Sequence, residues 1–266
     1  MMYEEKHGAI FGWGIENGNV VGYHSFRDYG LYPTSHPIIA PPEAQIYAVE
    51  IPGMDGALDY TEALTGDVHY KNRPGTFPYK YVGDRAQWDA VYHRLLNQIN
   101  GKRLRVVLDD DPGGFYYGRL SVNEPEYDGK RNCAYFTITG DFQPYRMDLY
   151  SSIEPWIWDT FPFATGIIRD YSAIEITGTQ ASPQTITIVG SSMPVVPVFR
   201  VTGAHNVVIK YTGDDGEKTK VLLTGAEYVF DDFVLRYGED GEIDLQVWTS
   251  ANVTSELQIE YRGGTL

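Results

Sequence analysis

The stretch VEIPGMDGALDYTEALTG, Val49 to Gly66, says more about this chain than its composition does. It reads as a strand, Ile46 to Ile51, entering a turn built on Pro52-Gly53 and Asp55-Gly56, with a second turn closed at Gly66. Glycine at such places answers a backbone demand for positive φ, which a β-branched side chain meets only at a cost. No nucleophile, base and orienting residue stand together here, and nothing has the spacing of a metal site. A segment so specified in its backbone and so poor in reactive groups describes a shape to be kept, which suits an assembly part better than an enzyme.

On either side of this stretch, strand signals dominate. Tyr, Val, Ile, Thr and Phe recur in short runs, with hairpin-like tips at Asn17-Gly18, Asp128-Gly129, Asp215-Gly216 and Asp240-Gly241. One segment departs from the pattern. From Asp84 the apolar residues Trp88, Val91, Tyr92, Leu95, Leu96 and Ile99 follow a spacing of three and four, which predicts an amphipathic helix lying across a sheet. Asp84 is its candidate N-cap, Gly101 falls just past its end, and Arg85, Asp89 and Arg94 form its charged side. Leu104 to Leu108 and Tyr116 to Val122 then read as a hairpin joined by a turn over Asp109 to Gly114. The three adjacent aspartates lack the alternating oxygens and closing glutamate of a calcium loop.

The character changes between Met147 and about Phe163, where Pro155, Pro162, Trp156, Trp158, Phe161 and Phe163 make a bulky, irregular stretch read as a linker. Eight alternating runs follow: Ala173–Thr177, Thr185–Val189, Val195–Val201, Val207–Lys210, Lys220–Leu223, Phe233–Tyr237, Ile243–Trp248 and Leu257–Tyr261. Short strands at this spacing with no helical pattern between them predict a β-sandwich. A chain of 266 residues is long for one core, since domains most often run about 100–150 residues. Two domains are therefore expected, over residues 1–147 and 148–266.

Charge and chemistry exclude more than they assign. With 21 basic residues against 36 acidic ones the formal net charge is −15, the wrong sign for gripping nucleic acid. An acidic wall would let DNA slide past without sticking. The single cysteine, Cys133, rules out an intramolecular disulfide or a thiolate cluster for zinc, and its place in an apparent strand makes it a buried, inert thiol. Met1 to His7 lacks the apolar core of a signal peptide, and no run approaches the roughly 20 apolar residues of a membrane span. The histidines, His7, His24, His36, His69, His93 and His205, show no close pair, and no His-Glu-x-x-His, Gly-x-Ser-x-Gly or phosphate-cradling glycine motif occurs. A glycan hydrolase would need two carboxylates across a sugar cleft, which an acid-rich composition cannot single out. No catalytic residue, cofactor or metal is expected.

The motif from Val49 through Pro52-Gly53, Asp55-Gly56, Leu58-Asp59 and Thr61-Glu62 to Gly66 resembles the central motif of the siphophage distal tail protein family, also encoded by tailed prophages. Three further pieces follow the family's order: Asp28-Tyr29-Gly30-Leu31, then RVVLDDDPGGFYYGRLSV from Arg105 to Val122, then Phe142-Gln143-Pro144-Tyr145-Arg146. Gln143 stands where the family usually carries an acidic residue. The second half, ending in Tyr261-Arg262-Gly263-Gly264-Thr265-Leu266, resembles more loosely the family's galectin-like C-terminal domain.

The resemblance implies a mainly β chain: a ring-forming N-terminal β-rich domain with one amphipathic helix and a β-hairpin, then a galectin-like β-sandwich. It also implies a homohexameric ring at the tail tip of a virion, assembled in the host cytoplasm. Such a ring would join the tail tube protein to a tail-associated fibre or baseplate protein, with a receptor-binding protein a further candidate partner and DNA passing unbound. The alternative is a carbohydrate-binding module for host-surface adhesion. Its candidate sugar contacts are His205, Asn206 and Trp248, although His205-Asn206 lacks the arginine and the tryptophan-glycine partner of a galectin site.

Overall fold

The computed structural model describes residues 8–16, 18–63, 66–154, 170–213, 215–236, 242–250 and 253–266. The chain divides into two compact units, Met1–Arg146 together with Leu266, and Met147–Thr265. The irregular stretch from Pro155 to Phe163 and the tip at Asp240-Gly241 lie outside the described residues, as does Asn17 of the first tip.

The first unit holds strands β1 (Ala9–Glu16), β2 (Asn19–His24), β3 (Leu31–Pro33), β4 (Ile38–Ile39), β5 (Ala48–Glu50), β6 (Ala57–Asp59), β7 (Arg73–Val82), β8 (Arg103–Leu108), β9 (Asp111–Val122), β10 (Glu126–Asp128) and β11 (Cys133–Phe142). Its helices are the short α1 (Ser25–Tyr29) and α2 (Trp88–Gln98). The principal sheet runs β2-β1-β8-β9-β11-β7-β3 with antiparallel neighbours, β10 adding to β11 and β4 to β7. Alternation supplies its inner face: Phe11, Phe77, Tyr79, Val106, Leu120, Phe136, Ile138 and Phe142 are all buried.

Helix α2 covers that face. Trp88, Val91 and Leu95, with Ile99 just beyond its end, join the same core as the strands, while Arg85, Asp89 and Arg94 stay exposed. Asp84 accepts a hydrogen bond from the Ala86 N–H at 3.0 Å, but it caps a single 3-10 turn that precedes α2. Gly101 beyond the helix takes φ +74°. Cys133 is a buried free thiol, as its strand context predicts.

The β8–β9 hairpin corrects the sequence reading. The turn comprises Asp109 and Asp110 alone, and β9 already begins at Asp111, which pairs with Leu108. The aspartates are structural anions here. Asp109 sits 3.0 Å from His24 Nε2, Asp110 lies 3.0 Å from His36 Nε2, and Asp111 forms a two-pronged ion pair with the Arg146 guanidinium.

The second unit contains β12 (Arg146–Asp148), which starts one residue before the division between units, then β13 (Ile174–Ile176), β14 (Gln184–Val189), β15 (Val198–Val201), β16 (Val207–Gly213), β17 (Gly216–Leu222), β18 (Glu227–Val229), β19 (Glu242–Thr249), β20 (Ser255–Glu260) and β21 (Gly264–Thr265). Two four-stranded sheets, β13-β20-β15-β18 and β14-β19-β16-β17, share one core. Phe199, Val201, Leu257 and Ile259 from one sheet join Ile188, Ile209, Tyr211, Leu245 and Val247 from the other, which makes the β-sandwich that the alternation predicts.

Three of the expected strands differ in this unit. Of the run Phe233–Tyr237, whose last residue lies outside the described residues, the described part makes only an isolated bridge, Leu235 to Val195, and β18 is an unforeseen strand. Phe233 and Leu235 are both buried, so the alternation there reports two core anchors without a ladder. In addition, β16 and β17 are longer than Val207–Lys210 and Lys220–Leu223, running on until Gly213 pairs with Gly216.

Candidate assembly surface

The family-like residues do not gather around a cavity. They build an arm. Its base is tied by the Gln45 N–H to the His69 carbonyl at 2.7 Å, the Gln45 side-chain amide to the Tyr70 carbonyl at 3.1 Å, and the Lys71 N–H to the Glu43 carbonyl at 2.8 Å. Beyond the base, β5 and β6 pair, among the described residues, with each other alone, as a two-stranded sheet of their own.

Local chemistry shapes this arm. Pro52 and Gly53 enter the tip, the Met54 N–H donates to the Ile51 carbonyl at 3.1 Å, and Gly53 and Gly56 take φ of +87° and +82°. Gly66 takes φ +73° and closes the second turn by donating to the Glu62 carbonyl at 2.8 Å. A Cβ added at any of the three would touch nothing within 4 Å, so glycine is required there by backbone conformation and not by crowding. Asp59 accepts from the Thr61 N–H and hydroxyl, and these bonds hold its carboxyl below the usual carboxylate range. Leu58 faces Val49 across the ladder, and Asp55 is exposed at the tip.

Seven large apolar side chains among the described residues of the arm enter no core. Ile46, Tyr47, Val49, Ile51, Met54, Leu58 and Tyr60 are all exposed, Ile46 to 70% and Leu58, the least, to 37%. An isolated two-stranded ribbon is marginally stable in water, and contiguous exposed apolar residues mark an interaction surface. Sequence reading located the backbone turns of this arm and missed its apolar skin. The signal was the run Ile46-Tyr47-Ala48-Val49, apolar on both alternating faces with nothing nearby to cover either.

The other family-like pieces are supports. His24 caps α1 by accepting from the Phe26 and Arg27 N–H groups at Nδ1, and Asp28 returns a bond by accepting the His24 N–H at 2.6 Å. Gly30 ends the helix at φ +69°, and Leu31 enters the core. At the close of the motif, Phe142 lies over two paired glycines, Gly75 and Gly140. Arg73, buried beside it, donates to the Ala40 carbonyl at 2.7 Å and the Pro144 carbonyl at 3.0 Å.

The candidate sugar contacts lie at one end of the sandwich. The Asn206 side-chain oxygen accepts from the Thr224 N–H at 3.1 Å, while its carbonyl accepts from the Ser250 N–H at 3.1 Å, so it joins two loops. The His205 carbonyl accepts the Ser255 hydroxyl, and Trp248 is half-buried on β19 opposite Val208. Among the described residues no group of three His, Cys, Asp or Glu could hold a metal ion, and no helix is long and apolar enough to cross a membrane.

Against known structures, the chain aligns along nearly its whole length with the Dit protein of phage SPP1. The alignment covers 97% of this chain and 99% of that one, with a TM-score of 0.56 and 10% identity. This chain has the distal tail protein fold. The SPP1 protein is described as a paradigm of the hub adsorption apparatus in phages infecting Gram-positive hosts. No family model matches the chain. Among curated proteins, a threonine–tRNA ligase from Sulfurihydrogenibium sp. (strain YO3AOP1) is 35% identical over 77 residues, which is 28% of this chain and 12% of that enzyme.

Proposed function

We propose that the chain is a structural hub of a siphophage tail tip, with six copies closing into a ring between the tail tube and a tail-associated fibre or baseplate protein. One observation carries this reading: an arm with seven exposed apolar side chains and no core of its own, on a chain with a hub protein's fold. A ribbon of that kind gains its stability from a neighbour. A head-to-tail contact that closes by rotation supplies one to every copy. The net charge of −15 suits a conduit for DNA, since a polyanion passes an acidic wall without adhering. The role is architectural, without catalysis, and the virion is its location.

The test is the mass of the full chain by light scattering after size exclusion, with and without serine at Val49 and Leu58. The wild type should give about six times the 30.0 kDa chain mass, and the double variant should fall toward monomer while remaining folded. Identical masses for the two would remove the arm from the interface.

A further inference from the structure

A second surface of the first unit calls for a partner of a different kind. On the outer face of the principal sheet, Arg103 and Arg105 of β8 alternate with the buried Leu104 and Val106, and Tyr117 and Arg119 of β9 alternate with the buried Gly118 and Leu120. The register sets Arg103 directly opposite Arg119, and Arg105 opposite Tyr117. Like charges directly opposed on an antiparallel pair destabilise it.

None of the three forms an ion pair among the described residues. Among the described residues, Arg131, Arg146, Arg200 and Arg262 each pair with an Asp or Glu, whereas Arg103, Arg105 and Arg119 pair with none. Their contacts are neutral: Arg103 and Arg105 lie over the Tyr117 ring, Arg105 donates to the Trp13 carbonyl at 3.1 Å, and Arg119 donates to the Gly101 carbonyl. Arg105 Nε is buried with no hydrogen-bond acceptor. Asp141 stands directly opposite Arg119 and accepts from the Asn72 amide at 3.0 Å, so a single carboxylate faces the three guanidinium groups. Beside Arg103 and Arg119 lies a concavity of about 310 Å³, whose lining also includes Asn72, Tyr117, Thr139 and Asp141. In a chain carrying 15 excess negative charges, three clustered arginines facing a single aspartate, with no ion pair formed, make a receptor for further carboxylates.

The complementary surface is on the same chain. From Ala44 to Tyr70 the arm carries Glu50, Asp55, Asp59, Glu62 and Asp67 and no lysine or arginine. Its register places Ala48 opposite Asp59 and Glu50 opposite Ala57, so one face of the ribbon presents two carboxylates between two alanines, while Val49 and Leu58 share the other. The small alanines permit close approach. We infer that the Glu50–Asp59 face of one copy's arm docks on the Arg103–Arg105–Arg119 face of a second copy, seating its carboxylates in the concavity beside Tyr117. This contact rests on the ring reading and gives its interface a polar, register-setting half beside the apolar one.

Sedimentation velocity of the full chain tests it, comparing wild type, Glu50→Lys, Arg103→Glu/Arg119→Glu, and the three changes combined. All three positions are exposed, and thermal unfolding verifies that each variant folds. The arm variant and the face variant should each raise the dissociation constant by about tenfold or more, and the combination should recover most of that loss, as charge pairs across interfaces do. Weakening without recovery, or an unchanged ring, overturns this contact and leaves the ring reading standing. Recovery in an assembly that stops at a dimer keeps the contact and removes the ring. A wild-type chain that is monomeric at every concentration overturns both.

Discussion

The Phe142 slot gives a quantitative test of why the first unit is built around paired glycines. Phe142 is fully buried, with its ring 6.0 Å from Phe77 and 6.1 Å from Tyr116, both edge-on. A methyl placed on Gly140 would come within 2.4 Å of that ring, and one on Gly75, its cross-strand partner, within 2.5 Å. Real Cβ atoms do not approach so closely, so Gly140→Ala must displace a ring packed on every side. Overpacking of this sort costs about 1–3 kcal/mol. Phe142→Ala removes the ring and leaves a cavity, at about 3–5 kcal/mol. The double variant decides the matter, because the alanine at position 140 then occupies space the ring has vacated. Its cost should not exceed that of Phe142→Ala alone, giving a favourable coupling of about 1–3 kcal/mol. Native-state hydrogen exchange of β7 and β11 amides reads the opening energy of this unit separately from the sandwich. Additive losses, or a harmless Gly140→Ala, would refute the slot.

Other outcomes follow from the same structure. Gly53→Val or Gly56→Val should strain the arm by about 1–3 kcal/mol with no steric collision, so self-association falls while thermal unfolding of the core stays unchanged; a shifted core transition would contradict this. Burial raises the phenols of Tyr29 and Tyr79, and burial together with the Asp232 carboxylate pushes Tyr211 up to about 12. An unfolded tyrosine ionises near 10, so above that pH the unfolded chain binds fewer protons than the folded one. This stability is fully present below about pH 10 and is lost as pH rises through the folded values, and phenolate absorbance should therefore appear together with unfolding. For the sandwich, calorimetric titration of galactosides and glucosides into the full chain should show no saturable binding tighter than about 100 µM, near −5.5 kcal/mol. Tighter binding abolished by Trp248→Ala would promote the adhesion reading.

What could be read from the sequence was local. The spacing of Trp88, Val91, Leu95 and Ile99 is a property of one segment, and it placed α2 and its buried stripe. The glycines of the arm announced positive φ for the same reason. Long-range pairing was not legible. Asp109 to Gly114 looks like a turn because Pro and Gly favour turns, yet Pro112 and Gly113 lie in β9, and the aspartates meet His24, His36 and Arg146 from distant segments. Burial without pairing misled at Phe233 and Leu235, whose alternation serves the core alone. The strand expected from Ile46 to Ile51 is only Ala48–Glu50, because apolar alternation records which residues could be covered and not whether this chain covers them. The cluster of Arg103, Arg105 and Arg119 is invisible without the β8–β9 register.

The most direct measurement is electron microscopy of the isolated full chain at micromolar concentration. Class averages should show a closed, six-fold ring around an open channel, single or stacked back to back, with the arm of each copy lying on its neighbour. Compact single particles of one chain mass, with no ring at any concentration tested, would contradict it.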